Sequence, residues 1–101
     1  MNYENKNAFI TKRLVEENSK IGFAYREKPD NETDSGWRFF IGNEEQEYVD
    51  NPDNLLLYSI EDIIKLDDSI KPILNSGIDT AFEKVNTEFK QVTDFDFGTN
   101  L

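Results

Sequence analysis

Residues 34–54, DSGWRFFIGNEEQEYVDNPDN, constrain the fold of this chain more than any other stretch. They hold the single tryptophan, Trp37, in a run with Phe39 and Phe40. Beyond Gly42 come Glu44, Glu45, Glu47, Asp50 and Asp53 with no basic residue among them. Large apolar side chains at Trp37, Phe39 and Ile41 follow the two-residue period of a half-buried strand. Such a strand needs a core, and the acids behind it cannot enter that core unpaired. The segment therefore reads as a rigid aromatic strand that runs into an anionic surface.

Whether 101 residues can supply that core depends on their apolar content. Only 37% are hydrophobic, but eight Phe and four Tyr join the tryptophan, and each large aromatic brings about 150–250 Å² into a core. One folded domain over residues 1–101 is expected, with residues 1–7 and 93–101 as flexible tails. The net charge of −10 repels nucleic acid and anionic membranes and attracts basic partners. Cysteine and histidine are both absent. That removes thiolate chemistry, disulfides, the commonest metal ligands and the commonest general base near neutral pH. No cofactor is expected. With no long apolar run and no signal-peptide pattern at the start, a cytoplasmic protein is expected.

The pattern predicts an α+β fold, a small domain with an antiparallel sheet and two or three short helices. Residues 8–15 and 21–27 read as strands joined into a hairpin by the polar turn 16–20. In the second, Ile21, Phe23 and Tyr25 alternate with Gly22, Ala24 and Arg26. Residues 28–36 read as a loop and 37–41 as a third strand. Asn43 is placed as the cap of a helix through Val49, followed by a turn at 50–54 and a short buried strand at 55–58. Ser59, with Asp62 three residues on, opens a helix over 60–66. A second short helix over 69–75 carries Pro72 in its first turn. Residues 81–85 and 88–92 form a hairpin around Asn86-Thr87. The tail either docks its phenylalanines on the core or leaves them free.

The candidate sites are few. Asp30, Glu32, Asp34 and Gly36 have the alternating acids of a calcium loop. The glycine falls one position late, however, and Ile41 stands where the bidentate glutamate belongs, so a solvated acidic loop and no metal is the reading. Asn31-Glu32-Thr33 matches a glycosylation sequon by chance. No carboxylate pair carries the spacing of an acid–base catalyst, and no glycine-rich phosphate loop is present, so no enzyme is expected. Trp37, Phe39, Phe23 and Tyr25 are taken as structural core. Either Phe40 or the Trp37–Phe39 pair faces outward, because neighbours on a strand point to opposite faces.

Three blocks carry a resemblance: ITKRLVE at 10–16, IGFAYREKPDNETDSGWRFFIGNEEQEYVDNPDN at 21–54, and SIKPIL with GIDTAFEK across 69–84. The chain resembles the bacterial Immunity protein 33 family, most specifically in DSGWRFF, GNEEQEY and DNPDN. The tail beyond Lys90 has no clear counterpart. The resemblance implies a small α+β domain that protects a cell from a polymorphic toxin, and it brings no catalytic residues. Glu44, Glu45, Glu47, Tyr48, Asp50 and Asp53 are the candidate contact residues, by the argument from charge and not from the family. Within residues 27–53, nine acids face only Lys28 and Arg38, a local charge of −7. The partner expected is a basic cognate toxin. A small-molecule or peptide-binding accessory domain, with the aromatic strand as its floor, is the alternative. The oligomeric state is left open.

Overall fold

The computed structural model describes residues 5–95. Six strands, β1 (Asn7–Thr11), β2 (Phe23–Arg26), β3 (Asp34–Phe40), β4 (Leu55–Ser59), β5 (Thr80–Val85) and β6 (Glu88–Val92), form one sheet in the order β4-β1-β3-β2-β5-β6. Three short α-helices accompany them: α1 (Lys12–Glu16), α2 (Gln46–Asp50) and α3 (Ile60–Leu66). Two 3₁₀ turns lie at Pro52–Asn54 and Asp68–Ile73. The fold is α+β, and the sheet is mostly antiparallel. One pair departs from the expected pattern, because β1 runs parallel to β3.

That parallel pair corrects the expected hairpin between residues 8–15 and 21–27. The first strand ends at Thr11, and residues 12–16 turn into α1. With a helix between them the two strands do not meet, and β3 lies between them, bonded to both. Helix α1 is too short to persist by propensity alone. The Tyr48 hydroxyl accepts the Arg13 backbone N–H at 2.8 Å, satisfying a first-turn donor that no residue of the helix can reach.

Strand register sorts the side chains into rows. Leu56, Ile10, Phe39, Ala24 and Phe82 lie side by side across the sheet and face the core. Leu14 of α1, Ile60 and Ile63 of α3, and Ile70, Ile73 and Leu74 close over that face. Trp37 and Phe39 are fully buried there, their rings stacked with centroids 5.7 Å apart. The next row, Leu57, Phe9, Arg38, Tyr25, Ala81 and Val92, points to the opposite, outer face, as do Phe23 and Phe40. Phe23 and Tyr25 are thus half-buried on the outer face and are not members of the main core, contrary to the sequence reading. Ile21 does reach the core. It precedes the strand, and the alternation read through 21–25 does not carry across Gly22, whose backbone lies against Ile41.

Local signals hold well elsewhere. The Ser59 hydroxyl accepts the Asp62 N–H and caps α3. Asn86 takes the left-handed conformation (φ 61°) that a two-residue hairpin turn requires between β5 and β6. Asn43 does not cap α2, which starts two residues later than expected, with Glu45 at its N-cap position. The expected helix at 69–75 is the 3₁₀ segment Asp68–Ile73 with Pro72 inside it. It is fixed by the Asp67 carboxylate, which accepts N–H groups from Ser69 and Ile21 and meets the Lys84 ammonium at 3.2 Å. Strand β4 is an edge strand, with Leu57 exposed rather than buried. The expected flexible tails fall largely outside the described residues. Within them, Asn7 opens β1 and Phe95 packs its ring 5.5 Å from that of Phe23 and 5.0 Å from that of Tyr25.

Truncating Trp37 to alanine is expected to cost about 3–5 kcal/mol, as deletion of a buried large aromatic does. Chemical denaturation measures it, and a loss under about 1 kcal/mol would contradict the packing described.

Candidate functional site

The outer face of the sheet is where apolar surface and charge meet. Strand β3 is buried along all seven residues, so Arg38, which points outward from it, is a buried cation. Its guanidinium must be neutralised. Asp34 takes it in a two-pronged bond, Nη1 to Oδ1 at 2.8 Å and Nη2 to Oδ2 at 2.9 Å, and Glu27 accepts Nε at 2.7 Å. Asp30 lies 3.8 Å away, and the Phe9 ring sits under the guanidinium at 4.9 Å. The Asp34 carboxylate also accepts the N–H groups of Asp30 and Gly36. Gly36 has φ +88°, and a Cβ there would stand 2.2 Å from the Glu27 carbonyl oxygen, so only glycine fits where β3 passes the residue after β2; the register of β3 against β1 slips at the same place, between the pairs Asn7–Asp34 and Phe9–Arg38. Burial alone would raise the Asp34 pKa, but the bonds from Arg38 and the two amides outweigh it and bring it down to about 2. The loop that resembled a calcium site therefore commits Asp34 to Arg38. Among the described residues no group of three or more His, Cys, Asp or Glu is arranged to hold a metal ion.

Beside this cluster the outer face opens into a groove of about 430 Å³. Phe23, Tyr25 and Phe40 line it, with the Tyr25 and Phe40 rings stacked 5.5 Å apart at 16°. Val49 and Asp50 of α2 and Glu44 border the other side. Burial, followed by the nearby Glu27 charge, pushes the Tyr25 phenol above its ordinary pKa.

The six residues expected to contact a partner divide by role. Glu44 is half-buried and fully engaged. One of its oxygens accepts the Thr11 hydroxyl at 2.7 Å and the Ile41 N–H at 2.8 Å, and the other accepts the Gly42 N–H at 2.8 Å. Burial opposes its ionisation, yet these bonds hold its pKa below the usual value. Glu44 thus ties the end of β3 to the end of β1. Tyr48 also faces inward, with its hydroxyl bonded to Arg13 and its ring 4.2 Å from the Arg13 guanidinium. Glu45, Glu47, Asp50 and Asp53 are exposed on α2 and the turn after it. The site residue that the sequence reading missed is Arg38; Phe40 is the outward-facing member of the alternative it left open. A lone arginine between Trp37 and Phe39 in a strand was the available signal, since a strand buried on both faces must pair such a charge.

Fold and face together define a small α+β domain that presents an aromatic groove with an acidic rim. A family model described as Immunity protein Imm33 domain matches residues 8–94. The chain belongs to that family and is an immunity protein, a class that is generally non-enzymatic and implies a toxin as partner. The match runs four residues past Lys90, to include the start of the tail. No curated protein and no solved structure matches the chain. No helix among the described residues is long and apolar enough to cross a membrane.

Two measurements follow from these bonds. A folded pKa of about 2 against an ordinary 3.8 means that Asp34 stabilises the fold fully above about pH 4, and that this contribution fades as pH falls toward 2. Unfolding free energies measured between pH 5 and 2 are expected to fall on the order of 2 kcal/mol more for the wild type than for Asp34→Asn; parallel curves would contradict the pairing. Glu44→Gln is expected to cost about 1–3 kcal/mol by leaving buried donors poorly matched, while Glu45→Gln stays within about 0.5 kcal/mol. Equal effects in denaturant titrations would refute the distinction.

Proposed function

We propose that this immunity protein neutralises a cognate toxin of a polymorphic-toxin system by direct, non-catalytic binding through the acidic rim of its outer face. The toxin's matching patch is basic, and the encounter takes place in the cytoplasm. The observation that carries the reading is the exposure of Glu45, Glu47, Asp50 and Asp53 together on one short segment with no basic residue between positions 44 and 53. Toxins that cleave nucleic acid carry positive surfaces to hold phosphates. An acidic rim competes for such a surface, speeds encounter by steering, and blocks substrate by occlusion. Glu44 and Tyr48 hold the segment in place rather than meeting the partner.

The groove itself favours a second reading, a domain that binds a small molecule or peptide on the Phe23–Tyr25–Phe40 floor. Its open shape and the acids along one side fit a protein contact better than an enclosing ligand pocket.

The test is the triple variant Glu45→Lys, Glu47→Lys, Asp53→Lys with the cognate toxin. Association is expected to slow by about 10-fold or more and to lose most of its salt dependence, with an unchanged circular dichroism spectrum and thermal midpoint. Wild-type association rates and full protection of cells by the variant would contradict the proposal.

A further inference from the structure

The two edges of the sheet are built differently. β6 ends one side and carries Glu88 and Lys90, exposed charges of the kind that keep a sheet edge from pairing. β4 ends the other side with Leu55, Leu56, Leu57, Tyr58 and Ser59, a run without charge, proline or glycine. Its register against β1 holds without a slip from Asn7–Ser59 to Thr11–Leu55, so no bulge twists it away. Leu57 in the middle is 59% exposed.

The direction of its backbone groups follows from β1. Asn7 gives its N–H to the Thr33 carbonyl, on the β3 side, so Ala8 and Ile10 turn theirs toward β4, where they face Tyr58 and Leu56. Ile60 keeps the same phase, giving its N–H to the Lys6 carbonyl at 3.0 Å. Leu55, Leu57 and Ser59 therefore point their backbone groups away from β1, and no strand among the described residues lies beyond them. The Pro52 carbonyl takes the Leu55 N–H. The Leu55 carbonyl, both groups of Leu57 and the Ser59 N–H are left along the edge, spaced as one added strand requires.

Charge selects the occupant. Residues 50–62 hold Asp50, Asp53, Glu61 and Asp62, all exposed, and no lysine or arginine. A second copy fits poorly. The two-fold pair that uses these backbone groups centres on Leu57, which carries Asp53 of each copy toward Glu61 of the other and sets like charges at both ends. A strand with basic residues at its ends meets acids at both. The edge also follows directly on the acidic segment, since Pro52–Asn54 leads into β4 and Leu55 lines the groove beside Asp50.

We infer that the β4 edge takes an extended, basic-flanked segment of the toxin as an added strand. The inference rests on the toxin-binding reading but is tested without the toxin. The probe is the peptide acetyl-Lys-Thr-Val-Thr-Val-Thr-Lys-amide, titrated into the whole ¹⁵N-labelled chain and followed by two-dimensional NMR. The same peptide N-methylated at every Thr and Val keeps its charges and cannot donate to a strand. Saturable downfield shifts of the Leu57 and Ser59 amide protons are expected, with the methylated peptide weaker by about tenfold or more. Leu57→Pro removes an N–H that faces away from β1, so the ladder to β1 stays intact. It should weaken the unmethylated peptide by about fivefold or more. Should that variant disturb the fold, the methylated peptide on the unaltered chain decides. Equal binding of the two peptides, shifts that leave residues 55–59 unmoved, or no loss in a folded Leu57→Pro would each overturn the inference. So would sedimentation as a dimer that Leu57→Pro dissociates, which assigns the edge to a second copy. Each of these leaves the rim proposal standing, because that is decided by association of the lysine triple variant with the toxin.

Discussion

A charge buried in the most buried strand organises one whole side of this protein. Arg38 points outward from β3, and the acids that neutralise it come from the end of β2, from the loop, and from β3 itself. Removing one partner from such a cluster costs more than the intact pair contributes, because the remaining charge stays desolvated. The loop between β2 and β3 is therefore held by electrostatics rather than by apolar packing, and Gly36, having no Cβ, lets β3 lie against the Glu27 backbone so that the cluster can close. The same cation lies against Phe9 of β1, so the three central strands are joined across the outer face.

With that side braced, the acidic segment can be presented rigidly. Glu44 reaches Thr11 and Tyr48 reaches Arg13, both at the corner where β1 becomes α1. Two residues of an anionic stretch are thus spent on fixing it, and the remaining four carboxylates face water. An acidic surface that is ordered before it meets a partner loses less entropy on binding than a flexible one. The sheet separates two surfaces: Trp37, Phe39 and the helices pack on one face, and Phe40, Tyr25 and the acidic rim lie on the other.

Much of this was legible in the sequence wherever the signal was local. The alternation of Trp37 and Phe39, the Ser59 cap and the Asn86-Thr87 turn each depend on neighbours a few residues away and appear where they were expected, although β3 opens at Asp34, inside the expected loop 28–36, and ends at Phe40. What failed depended on distant partners. The helix at 12–16 leans on Tyr48, thirty-five residues along the chain, and Glu44 is held by Thr11, thirty-three residues back. β3 carries large apolar groups on both faces, and β2 turns Ala24 to the core and its rings Phe23 and Tyr25 outward, so alternation alone could not say which face met the helices. The parallel pairing of β1 with β3 also leaves no mark in either strand. The family was legible from the central block, where DSGWRFF, GNEEQEY and DNPDN stand in order and at close spacing.

The central claim is that recognition belongs to the outer face. Hydrogen–deuterium exchange of the chain, alone and with the cognate toxin, tests it most directly. The account expects new protection over residues 40–53 and 23–26, with the backbone of α3 and of residues 68–74 exchanging as before. Protection confined to α3 and residues 68–74, with residues 40–53 unchanged, would contradict it.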